Sequence, residues 1–147
     1  MWGAIDRIIN NAKSLNEKDA WLFVIDKEVK DEIIRLNTQE QLFDEGIDSL
    51  NRTLGDYTPY TVVLKKAKGQ RTDHITLKDT GAFYNSFKVQ VTSTGIIIQA
   101  DDSSIYDIPL TKSFGLDILG LTNDNILWLF DYLDENYNKY VRKKLFQ

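Results

Sequence analysis

The chain has 147 residues, 42% hydrophobic and 27% charged, with a formal net charge of -4. This is the balance of an ordinary globular chain, long enough to bury a core unaided and expected to form one domain, 1–147. The mild acidity speaks against an autonomous nucleic-acid binder, which needs clustered excess Lys and Arg, and the absence of cysteine excludes disulfides and thiolate metal sites.

Ile5, Ile8, Ile9 and Ala12 recur at helical spacing and predict a short amphipathic helix from Ala4 to Ala12. Charges inside that pattern and the lack of a basic leader argue against a signal peptide. Nowhere does an apolar run approach the roughly 18 residues that span a bilayer. Asn16 reads as the N-cap of a second helix, with Asp19 in its first turn. The stripe of that helix, Leu22, Ile25, Val29, Ile33 and Leu36, advances by three or four residues. Trp21 and Phe23 lie off the stripe and either widen the core face or meet a partner. Asn37 reads as the stop of this helix. Thr38 with Gln41 resembles a capping box that opens another helix through Leu42 and Phe43, with Gly46 to end or kink it.

Gly55-Asp56 is a turn signal. Thr58-Pro59 places an N-cap before a proline at N1, opening a helix that holds Val62 and Val63, ends in Lys65, Lys66 and Lys68, and stops at Gly69. His74 to Leu77 is expected as a short strand. Asp79 or Thr80 then caps a helix of about two turns that holds Phe83, Tyr84 and Phe87. Lys88 to Thr92 alternates, with Val89 and Val91 on the apolar side. Ser93-Thr94-Gly95 suits a hairpin loop with Gly at the left-handed position, and Ile96, Ile98 and Ala100 continue the apolar face on the return strand.

Ile105 to Phe114 is expected as partly helical, limited by Pro109. Gly115 and Gly120 bracket an apolar loop. Thr122 caps a long final helix with the stripe Ile126, Leu129, Phe130, Leu133, Tyr137, Tyr140 and Val141. Its last residues, Lys139, Arg142, Lys143 and Lys144, suit the helix dipole. The layout is α+β: several helices packed on a small antiparallel β-hairpin sheet, with a long C-terminal helix. Two strands are few for a free-standing sheet, and their open edges could pair with another copy or a partner.

Candidate residues for chemistry are sparse. The sole histidine, His74, stands beside Asp73. Neighbours in an extended segment point to opposite sides, so Asp73 is badly placed to orient it in a triad. With one His and no Cys, zinc would need mostly carboxylate ligands. Asp101, Asp102 and Asp107 form an acidic cluster without EF-hand spacing and read as a solvated turn. No carboxylate pair stands out for glycoside hydrolysis, and no phosphate-cradling glycine loop is present. No catalytic residue, cofactor, metal or small-molecule substrate is therefore expected. Lys65, Lys66, Lys68 and Arg71 form a basic patch, either a weak contact to DNA phosphates or a helix-end charge cluster. Trp128 and Tyr132 share a face that only partly overlaps the main stripe. With Trp21 they are candidate interface aromatics, against the reading that they pack in the core.

Leu77-x-x-Thr80-Gly81-x-Phe83-x-x-Ser86 followed by a β-hairpin resembles the tail-completion and neck proteins of tailed bacteriophages, also described as minor tail or virion-morphogenesis proteins. Upstream, Tyr57-Thr58-Pro59 and Lys66-Ala67-Lys68-Gly69 hold the places of that family's Tyr/Ser-Pro step and lysine-glycine loop. The similarity covers Thr58 to Ala100. Phe83 stands where the family usually has leucine, and Leu116 to Leu121 stands where a proline-rich segment often follows an aromatic-Gly pair, here Phe114-Gly115. Read physically, Asp79 or Thr80 caps a helix, Gly81 permits a close approach or an unusual dihedral, and Phe83 and Phe87 fill one core. The motif therefore marks a fold more than an active site. The resemblance implies a non-enzymatic virion protein assembled in the host cytoplasm. Its copies would form a ring at the head–tail junction, between portal or adaptor and tail proteins, with DNA only in transit. The alternatives are a small protein-binding adaptor or regulatory module, and a small carboxylate-dependent enzyme whose pocket would gather acids of raised pKa.

Overall fold

A computed structural model describes residues 2–92, 95–103 and 108–147, without the side chains of residues 2, 17, 18 and 21. The fold is α+β. Helices α1 (Trp2–Lys13), α2 (Glu17–Val24), α3 (Lys27–Arg35) and a π-helix (Leu36–Glu45) come first. Then follow α4 (Pro59–Ala67), the single turn α5 (Ala82–Asn85), and a hairpin of β1 (Lys88–Thr92) and β2 (Gly95–Gln99). Short α6 (Leu110–Phe114), a 3-10 turn (Leu116–Ile118) and the 23-residue α7 (Asn123–Leu145) complete the chain.

The single helix expected from Asn16 to Leu36 is divided. Asp26 is extended, and its carboxylate accepts the Val29 amide at 3.0 Å, so it caps α3 instead of continuing α2. The apolar stripe survives the break: Ile25, Val29, Ile33 and Leu36 are buried, whereas Leu22 is exposed. Asn37 does not stop the helix, and Thr38 and Gln41 do not form a capping box. The Thr38 hydroxyl donates back to the Ile34 carbonyl at 2.7 Å, occupying the acceptor that an α-ladder would offer the backbone. The chain runs on in wider i→i+5 form until Gly46, left-handed at φ +65, ends it.

Thr58 caps α4 with Pro59 at N1, its hydroxyl accepting the Thr61 amide at 3.3 Å. Thr58→Ala is expected to cost about 1 kcal/mol, read as a lowered urea midpoint with unchanged slope. His74 to Leu77 is irregular rather than a strand. Leu77 sits at φ +57, which breaks the extended run. The helix holding Phe83 is one turn, because the chain must reach the hairpin at Lys88.

The strands pair antiparallel from Lys88↔Gln99 to Thr92↔Gly95. The loop residues Ser93 and Thr94 lie outside the described residues, as do Ile105 and Asp107. Val89, Val91, Ile96 and Ile98 pack on a core of Val24, Ile25, Val29, Ile33, Leu36, Leu121, Leu129 and Leu133. A second core holds Leu42, Tyr84, Phe87 and Ile118, and Ile98 touches both. Thr122 caps α7 by accepting the Asn125 amide. Its expected stripe is only partly right: Leu129, Leu133 and Tyr140 are buried, but Phe130 and Tyr137 are about half exposed. Among the described residues, no helix is long and apolar enough to cross a membrane.

Candidate functional site

The Leu77 to Phe87 motif is a clamp that holds the hairpin to the rest of the fold. Leu77 packs in the second core. The Asp79 carboxylate accepts from Gln70 at 3.0 Å and from Lys68 at 3.1 Å, and its carbonyl accepts from Gln70 as well. This fastens the segment to the loop after α4. Thr80 accepts the Ala82 amide at 3.2 Å, while the N-cap itself is Gly81, buried at φ +90. The cap is thus a glycine with a neighbouring hydroxyl, not Asp79. Phe83 meets Phe87 edge-on at 5.1 Å. Ser86 donates to the Phe83 carbonyl at 2.6 Å and accepts the Asp101 amide at 2.9 Å, tying the end of β2 to α5.

Tyr84 is the member that sequence reasoning placed in the helix without a role. Its hydroxyl donates to the Thr76 carbonyl, and burial pushes the phenol well above its ordinary range. Tyr57 completes the link, accepting the Thr76 amide at 3.0 Å. The Asp79 carboxyl is held below its ordinary value, first by the Gln70 hydrogen bond and then by Lys68. A depressed folded-state value contributes stability above the ordinary carboxylate range that is lost as pH falls through the lowered value. Wild type and Asp79→Asn are therefore expected to differ in urea midpoint at neutral pH and to converge in strong acid.

The basic patch is largely engaged at home. The Lys65 ammonium donates to the Lys78 carbonyl at 3.0 Å and lies over the Tyr57 ring. Lys68 pairs with Asp79, and Arg71 with Asp73. Lys66 is exposed.

Asp73 is not turned away from His74, contrary to the extended-segment expectation, because the segment is irregular. Asp73 Oδ2 lies 3.4 Å from His74 Nδ1. However, Arg71 grips both carboxylate oxygens at 2.6 and 3.0 Å and holds that carboxyl down to about 2. His74 Nε2, the nitrogen a triad would aim at its nucleophile, instead donates to the Phe43 carbonyl at 2.6 Å. In the acidic cluster, Asp101 accepts from Ser103 within a local turn, whereas Asp102 accepts the Thr111 amide in the first turn of α6; Asp107 lies outside the described residues. Among the described residues, no three His or acidic side chains gather to hold a metal.

What remains is surface. Trp128 stacks on Tyr132 at 5.4 Å, both more than 40% exposed. Trp21 lies in α2, its side chain outside the described ones. Among the described residues the sheet has two strands only. Beside β2 opens an apolar cleft of about 390 Å³, lined by Gly95, Ile96, Ile98, Leu121, Ile126 and Phe130 among others, none of them charged. On α4, Tyr60, Val63, Leu64 and Ala67 form an i, i+3, i+4, i+7 stripe that faces outward, with Tyr60 74% and Val63 66% exposed. This stripe was legible as a helical period. What sequence alone does not give is that it points away from the core. Comparison with protein-family models, with curated proteins and with solved structures returns no match.

Proposed function

We propose that this chain is a non-enzymatic structural subunit of a tailed bacteriophage virion. It assembles with itself into a ring at the head–tail junction, meets portal or adaptor and tail proteins, and lets DNA pass. The carrying observation is a division of labour. The Leu77 to Phe87 motif, the part that resembles the neck and tail-completion proteins, is taken up by internal hydrogen bonds and core packing. Apolar and aromatic side chains stand outward on α4 and on two flanks of α7. That suits a protein whose work is docking. The cleft beside β2 has an apolar lining without a titratable group among the described residues, which suits docking of an apolar partner surface. A net charge of -4 suits a channel that passes DNA without gripping it.

The exposed Trp128–Tyr132 stack also favours a second reading, a small adaptor that docks one other protein. Sedimentation across a concentration series, followed by particle images, separates the two. The ring reading expects annular particles of one size. A strict monomer at every concentration overturns it.

A further inference from the structure

Two apolar surfaces of this chain are shaped as opposites. The α4 stripe is a convex ridge: no residue of α4 is buried, and Tyr60, Val63 and Leu64 stand outward together. The cleft between β2 and α7 is concave and apolar, with Phe130 exposed on its lining. Leu127 and Phe130 share an exposed stripe with Asp131 and Asp134, again at i, i+3, i+4, i+7.

Charge is segregated in the same way. Residues 57–72 hold Lys65, Lys66, Lys68 and Arg71 and no acid. Residues 113–138 hold Asp117, Asp124, Asp131, Asp134 and Glu135 and no Lys or Arg. Lys68 and Arg71 are paired with Asp79 and Asp73, which leaves Lys65 and Lys66 as the surplus positive charge on α4, against Asp131 and Asp134 on the exposed flank of α7, a pairing that favours one docking register over others.

We propose that the occupant of the cleft is the α4 ridge of a second copy of this chain. Tyr60, Val63 and Leu64 enter between β2 and α7 of the neighbour, and Lys66 faces the Asp131 and Asp134 side of its rim. The contact uses two different surfaces, so a pair still has one free ridge and one free cleft, and the association is head-to-tail. It closes into a ring if the rotation between copies allows. This rests on the self-assembly reading above and names its surfaces.

The chain has no native cysteine, so introduced thiols are the only ones. The variant Val63→Cys with Phe130→Cys, treated with a short bismaleimide, is expected to give a ladder of covalent oligomers. Mixing the two single variants should give one heterodimer band. A control pairing Val63→Cys with Leu50→Cys, exposed but off the cleft, should give neither. Adding Leu64→Asp to the reactive pair should abolish the ladder with the far-UV circular dichroism unchanged. If wild type sediments as an assembly but the reactive pair cross-links no better than the control, the ridge-and-cleft contact is wrong and the ring stands. If wild type is monomeric at every concentration and no ladder forms, both fall.

Discussion

Replacing Gln41 with leucine is expected to destabilise the protein by about 3 kcal/mol, although leucine is apolar and of similar size. Gln41 is fully buried. Its amide donates to the Gly120 carbonyl at 2.8 Å, and its carbonyl accepts the Thr122 amide at 2.9 Å and the Asn125 side chain at 2.8 Å. Asn37, one turn earlier, holds the Ile118 carbonyl and the Gly120 amide in the same way. These two amides are the fastening between the π-helix and residues 118–122, a stretch that otherwise has little regular structure to satisfy its backbone. Leucine would leave three polar groups without a partner. Each buried one costs about 1–3 kcal/mol, and Gly120 and Asn125, half-buried, recover part of that from water. The loss also reaches further. Ile118 and Leu121 belong to different cores, and Thr122 is the cap of α7. On a chain of this size, the loss corresponds to a fall in melting temperature of about 6–12 °C. Urea unfolding followed by tryptophan fluorescence reads it directly. A Gln41→Leu protein as stable as wild type would mean that the side-chain amides do not dock this loop.

The same residues mark where sequence reasoning stopped. Asn37, Thr38 and Gln41 carry the local signature of a helix end and a new start, and locally that reading is sound. It fails because the partners of Asn37 and Gln41 lie about eighty positions away in a loop, where a window of ten residues does not reach, and because Thr38 bonds back to the Ile34 carbonyl instead of forward. Asp26 shows the converse. An unbroken apolar stripe hid a real cap, since the stripe from Ile25 to Leu36 keeps its phase across the break. The hairpin was legible because β1 alternates, Lys-Val-Gln-Val-Thr, and a glycine turn leads into an apolar return strand whose Ile96 and Ile98 share the half-buried face, and the Thr58 and Thr122 caps because their chemistry is local. The burial of Phe87 and the partial burial of Phe83 followed from their one-turn spacing. The outward turn of Tyr60, Val63, Leu64 and Phe130 did not: a helical stripe says which residues share a face, and not whether that face meets the core or a neighbour.

Gly46→Ala is expected to cost about 2–4 kcal/mol, and the reason divides into two parts that can be measured separately. The first is conformational. Gly46 ends the π-helix at φ +65, a left-handed conformation that costs an L-residue about 1–2 kcal/mol. The backbone cannot leave it cheaply, since the Gly46 amide donates to the Gln41 carbonyl and its carbonyl accepts the Leu54 amide at 2.8 Å. The second part is steric. A Cβ at position 46 would lie 2.4 Å from His74 Cδ2 and 2.8 Å from Cγ, well inside contact distance. The imidazole would have to move, giving up its 2.6 Å hydrogen bond to Phe43 and with it the link between residues 43–46 and the chain leading into the motif. A double-mutant cycle separates the two. In a His74→Ala background the steric part vanishes, and Gly46→Ala should cost only the left-handed penalty. The coupling energy between the two positions should therefore be about 1–2 kcal/mol, in the sense that the double variant is more stable than the sum of the singles predicts. Additivity would show that the ring is not what excludes a side chain at position 46, and that the only demand there is the backbone's own.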